Sequence, residues 1–162
     1  MERRSLYYDE GTLSETFGRP PSDEAGVLRG MRLSLLVVLA DGPAPGAIEG
    51  LFEAMRRFGM SEESLRVLRD FNPEGARFTD HLPAEVAPGS AHARRLVYAL
   101  VAGALGDGVF GSGERRAVEE IAAHLALGPG VVAAMAALLQ MERSVRDMRL
   151  ALFSDDFDGG GR

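Results

Sequence analysis

The stretch that decides the fold is VAGALGDGVFGSGERRAVEE, residues 101–120. It begins inside an apolar segment typical of a buried helix, which ends at Asp107-Gly108. After a short loop, Glu114 stands near the start of a segment whose apolar residues recur at helical spacing. The stretch therefore predicts two helices joined by an Asp-Gly turn. The inward positions predicted for the second helix are Val118, Ile121, Ala122 and Leu125.

Three glycines of this loop match the dinucleotide-binding pattern G-x-G-x-x-G: Gly106, Gly108 and Gly111. In a Rossmann fold that pattern follows a parallel strand and is followed about twenty residues later by an acid that binds the ribose. Here the preceding segment is helical, and ALGPGVVAAMAALLQ carries no acid. We therefore expect no binding of NAD or ATP. The glycines are predicted to end a helix and to supply positive φ angles, Gly108 in particular.

The first half of the chain repeats this organisation. Its apolar segment begins after a candidate cap at Ser22 and ends at Asp41-Gly42. An amphipathic segment ending near Gly59 follows, and Ser61 opens a further helix. Alternating strand patterns are absent from the sequence. We predict an all-α bundle of about six or seven helices in two pseudo-repeated halves, with the two Asp-Gly turns close together.

Polar composition at both ends sets the predicted domain limits. Residues 1–22 are predicted to form a flexible arm, 23–153 the helical domain and 154–162 an acidic flexible tail. In the second half, SAHARRLVYALVAGALG predicts a central helix that is apolar nearly all round, and a long helix follows Pro129. The 162 residues are enough for one domain with a real core.

Composition excludes several classes of function. The net charge of −6 argues against a nucleic-acid partner. All 18 basic residues are arginine and cysteine is absent, which excludes Schiff-base, Walker-lysine and thiol chemistry. The longest apolar run, residues 33–40, is too short to span a bilayer, and no secretory signal is visible. No set of residues supports catalysis, so we expect a non-enzymatic cytoplasmic protein.

The acidic residues of the turn leave a cation site open. Counted from Asp41 or Asp107, the ligand positions of an EF-hand are not filled by oxygen-bearing side chains. Asp107, loop carbonyl groups and Glu114 could still converge on one hard cation. The alternative is that Asp107 caps the turn and Glu114 favours the first turn of the next helix.

The pattern of LGDGVFGSGERRAVEEIAAHLALG resembles TerB-like tellurite-resistance domains and the related N-terminal domain of DjlA-type co-chaperones. The first half supplies Asp41, Gly42 and Glu49 at matching positions, although its proline-rich turn departs from the pattern. The resemblance implies a bundle of about seven helices and a stress-associated adaptor at or near the inner membrane. It also implies, from some members of the family, divalent-cation ligands at the Asp and Glu positions. The metal ligands that it implies are Asp41, Glu49, Asp107 and Glu114.

Two functions follow as expectations. The first is an interaction or adaptor module that binds another protein, with a membrane-adjacent complex and a homo-oligomer both left open. The alternative is a sensor or buffer of a divalent cation such as Ca²⁺ or Mg²⁺, held at the Asp-Gly turns.

Overall fold

Six α-helices follow one another along residues 24–42, 45–57 and 60–153, the part of the chain described by a computed structural model. They are α1 (Glu24–Val38), α2 (Pro45–Arg57), α3 (Glu62–Arg69), α4 (Ala91–Ala104), α5 (Ser112–His124) and α6 (Val131–Phe153). Short 3₁₀ turns occupy Phe78–Asp80 and Leu105–Asp107. These residues contain no strand, and the all-α fold class is confirmed.

The helix ends follow the local chemistry of the sequence. The Ser61 hydroxyl accepts a hydrogen bond from the Ser64 N–H at 3.2 Å and caps α3. Ser90 caps α4 in the same way, through the Ala93 N–H at 3.0 Å. Gly42 follows the first helix with a φ of 107°, which a residue with a side chain rarely adopts. Four of the sequence predictions concern residues outside the described part of the chain: the cap Ser22, the helix stop Gly59, the arm 1–22 and the tail 154–162.

Helix α4 is the centre of the bundle, as its apolar sequence predicts. It packs against α1, α5 and α6. Its contact with α1 joins the two apolar helices of the repeat, which bury one another as the repeat predicts. In the second half of the chain, α5 buries the face that the sequence predicts to point inward. Its buried residues there are Val118, Ile121, Ala122 and Leu125.

A second, smaller core lies between the first three helices. Leu35 of α1 contributes to it, while Leu33 and Val37 face the α4 core, so α1 separates the two cores. The remaining buried members of the smaller core are Leu51, Phe52, Met55, Leu65 and Leu68. None of the described helices combines the length and the apolarity needed to cross a bilayer.

Replacing Leu100 with alanine is expected to lower the free energy of unfolding by about 2–5 kcal/mol, because the cavity would open in the centre of the larger core. Leu100 is 1% exposed, whereas Leu150 on α6 is 55% exposed. Leu150→Ala is therefore the matched control, with an expected change within about 0.5 kcal/mol. Both are measured by urea unfolding. A loss below about 1 kcal/mol at Leu100 would contradict a central role for α4.

Candidate functional site

The carboxylate of Asp41, in the turn that follows α1, lies on the N-terminus of α5. Its Oδ1 accepts a hydrogen bond from the Gly113 N–H at 2.7 Å. Its Oδ2 accepts one from the Glu114 N–H at 3.2 Å. The first N–H groups of a helix have no acceptor within the helix and carry a partial positive charge. Asp41 therefore caps a helix that is distant in the sequence, since Gly113 lies 72 residues further along the chain.

Glu114 completes this helix start from within α5. Its Oε2 accepts a hydrogen bond from the Gly111 N–H at 2.8 Å, and the residue is only 7% exposed. Gly111 occupies the cap position but has no side chain with which to cap. The start of α5 thus combines one local carboxylate with one carboxylate from the other half. This cluster of Asp41, Gly111, Gly113 and Glu114 is called the junction below.

The glycines of the loop have geometric roles. A Cβ on Gly111 would overlap the Asp41 carboxylate, and a Cβ on Gly113 would overlap it too. Gly108 has the predicted positive φ, 94°, and a Cβ there would lie 3.1 Å from Nη1 of Arg143. The loop follows the helical residues of α4 and the 3₁₀ turn rather than a strand. The absence of a side chain at Gly111 and Gly113 lets the two halves approach closely. At Gly108 it leaves room for Arg143 of α6.

The four predicted metal-binding residues do not all have the same surroundings. Asp41 and Glu114 meet at the junction. Glu49 is exposed on α2. Asp107 ends the 3₁₀ turn that precedes the loop, and its side chain lies outside the described part of the structure. The residues that are described contain no group of three or more His, Cys, Asp or Glu suited to a metal ion. The assignment of these four residues as ligands stays a prediction.

A buried tyrosine connects α4 to the long last helix. The Tyr98 hydroxyl donates a hydrogen bond to Oε2 of Glu142 at 2.8 Å. Burial raises the pKa of Tyr98, and the hydrogen bond to Glu142 and its negative charge raise that pKa further. The phenol therefore stays protonated and donates throughout the physiological pH range. This contact, which was not predicted from the sequence, ties α6 to α4 where α6 leaves the core.

The outer face of α6 carries a row of exposed apolar side chains. The inner face contributes Val132, Ala136 and Leu139 to the core. Because successive helical residues are rotated by roughly 100°, the exposed row lies on the opposite side of the helix. Its members, called the outer stripe below, are Leu138, Met141, Val145, Met148 and Leu152. This stripe was not predicted from the sequence, although its alternating spacing of three and four residues is visible in LLQMERSVRDMRLAL, residues 138–152.

The described architecture matches a solved structure. A crystal structure of a tellurite resistance protein from Nostoc punctiforme PCC 73102 matches with a TM-score of 0.71 and 16% sequence identity, covering 95% of this chain and 96% of that chain. This chain has the TerB-like fold. The resemblance noted at the two Asp-Gly turns is thereby confirmed for the fold. No family model and no curated protein sequence matches the chain.

The junction of this TerB-like fold is tested by a pair of glycine substitutions. Gly113 and Gly46 are each the second residue of a helix, but a Cβ on Gly46 has nothing within 4 Å. Gly113→Ala is expected to lower the free energy of unfolding by about 1–2 kcal/mol, because the new methyl group displaces the Asp41 carboxylate. Gly46→Ala should raise it by up to about 1 kcal/mol, since alanine favours the helix.

The free energy of unfolding of each variant is measured with urea. Asp41→Ala is made both in the wild-type chain and in the Gly113→Ala variant. If Asp41 acts through the backbone at Gly113, Asp41→Ala should cost little more once Gly113→Ala is present. Fully additive losses would contradict the junction.

Proposed function

We propose that this chain is a non-enzymatic helical interaction module, an adaptor whose binding surface is the outer stripe of α6. The observation that carries the proposal is the exposure of the stripe, whose five side chains are between 42% and 59% exposed. They are contiguous along one face of one helix and lie opposite its buried face. Contiguous exposed apolar surface of this kind marks binding sites on soluble domains.

The free energy available from covering the stripe supports this role. Full burial of a Leu, Met or Val side chain contributes about 1.5–3 kcal/mol relative to full exposure. Five side chains that are about half exposed therefore offer roughly 4–7 kcal/mol, before the entropic cost of association. A free energy of this size suits a complex that forms and dissociates reversibly rather than a permanent one.

The biological setting is proposed from the structural neighbour. The Nostoc punctiforme protein is described as a tellurite resistance protein. We propose that this chain acts in a related stress response, in the cytoplasm or in a complex beside the membrane. The net charge of −6 favours a protein over nucleic acid as the partner.

Site-specific photo-crosslinking in cells tests the adaptor function. A photoreactive amino acid replaces Met148 in the stripe or, as a control, the exposed neighbour Asp147, which points about 100° away around the helix. Position 148 is expected to cross-link to another polypeptide, whether a different protein or a second copy, and position 147 is expected to give much less product. Cells are compared with and without tellurite. Equal or absent cross-linking at the two positions would overturn the proposed function.

The alternative function, divalent-cation sensing, is favoured by the geometry of the junction. The carboxylates of Asp41 and Glu114 both lie beside Gly111, and the Ala40 carbonyl oxygen lies beside Gly113. Each carboxylate already accepts helix N–H groups, yet a carboxylate has about four acceptor positions. Carboxylate and carbonyl oxygens are the ligands that Ca²⁺ and Mg²⁺ prefer. We propose that Asp107 and Glu49 complete such a site if a cation is held.

Calorimetric titration with Ca²⁺, Mg²⁺ and Mn²⁺ tests this alternative. The wild-type chain is expected to bind one of these ions saturably, and the double variant Asp41→Asn/Asp107→Asn should lose that binding. Asp147→Asn, which removes one negative charge at an exposed site on α6, is the control. Thermal unfolding of each variant without the ion separates loss of ligands from loss of fold. Unchanged affinity in the folded double variant would rule out the Asp-Gly turns as the site.

A further inference from the structure

The outer stripe has the spacing of a coiled-coil seam. Its members alternate by three and four residues from Leu138 to Leu152, which spans two heptads. Such a row stays on one face when the helix winds against a second helix. A single helix from a partner could therefore cover the whole stripe.

The residues beside the stripe carry opposite charges on one edge and none on the other. Glu142 and Arg149 lie on the first edge, one heptad apart. Ser144 and Ala151 occupy the equivalent positions on the second edge. In a coiled coil these edge residues determine the partner and the orientation of the helices.

We infer that the occupant of the stripe is α6 of a second copy of this chain, packed antiparallel about a two-fold axis near Val145 and Met148. In that register Val145 faces Met148 of the second copy, and Met141 faces its Leu152. Glu142 then lies opposite Arg149 of the second copy, and the two-fold symmetry forms this ion pair twice. The inference rests on the proposed function, since it names the partner of the same surface.

The opposite orientation lacks this complementarity. In a parallel pair each first-edge residue faces a second-edge residue of the other helix, so Arg149 would face Ser144 and no opposite charges would meet. The Tyr98 hydrogen bond holds Glu142 on the flank of the stripe at the point where α6 leaves the core. A carboxylate that accepts this bond still has acceptor positions for a guanidinium.

Charge-swap variants of the full chain test the inference by sedimentation equilibrium. The wild-type chain is expected to dimerise reversibly. Arg149→Glu alone should weaken the dimer by about tenfold or more, because like charges then meet at both ends of the pair. Glu142→Arg alone should weaken it at least as much, since it also removes the acceptor of the Tyr98 hydrogen bond. An equimolar mixture of the two single variants should recover dimers, since a mixed pair has opposite charges at both positions. Failure of the mixture to recover association would overturn the antiparallel pairing.

Val145→Glu/Met148→Glu places charges at the two-fold axis and should abolish dimers, while Asp147→Glu on the same turn should not. Circular dichroism and thermal unfolding show that the monomeric variant keeps its helices. A wild-type chain that stays monomeric at high concentration overturns the inference, including the case in which residues 1–23 of the same chain cover the stripe. If that monomer still cross-links to a different protein through position 148, the adaptor function stands and only the choice of partner fails.

Discussion

The carboxylate of Asp41 provides acceptors for the first N–H groups of α5, whose own cap position is a glycine. A helix start with a glycine cap and no acceptor would leave backbone donors unpaired at the contact between the two halves. Asp41 satisfies two of them through bonds of 2.7 and 3.2 Å. The bonds require the Asp-Gly turn after α1 to lie against the loop after α4. The packing of α1 on α4 and the position of α5 therefore depend on one another.

The same contact accounts for the last glycine of the dinucleotide-binding pattern, Gly111, and for Gly113 just beyond it. A glycine-rich segment that leads into a helix exposes N–H groups and excludes side chains, so an anion can approach closely. In this chain the anion is the Asp41 carboxylate, seated where side chains at Gly111 and Gly113 would stand. The loop therefore uses the physical principle of an anion site to join two parts of one domain. The Phe110 ring, packed on the core and covered by the guanidinium of Arg115 at 4.8 Å, holds the loop from the other side.

Helix α6 belongs partly to the core and partly to the surface available for partners. Its first half is tied to the bundle by Val132, Ala136 and Leu139, and Tyr98 holds it at Glu142. Beyond this point its large apolar side chains are exposed. The proposed adaptor function would use such a division, because a rigid anchor orients the surface and keeps the entropic cost of binding low. In the proposed function the junction and the stripe thus serve separate purposes, the junction holding the fold and the stripe offering contacts.

The sequence by itself determined the helices, the central position of α4, the inward face of α5 and the need for positive φ at Gly108. These features depend on local periodicity, on capping residues and on the conformational freedom of glycine, all of which act over a few residues. It also indicated Asp41 and Glu114 as candidate metal ligands, but it could not show which groups their carboxylates contact. Only the tertiary structure decided that Asp41 caps a helix 72 residues away and that Gly113 admits it. It also showed which apolar residues of α6 stay exposed, since spacing defines a helical face but only packing decides which face is covered.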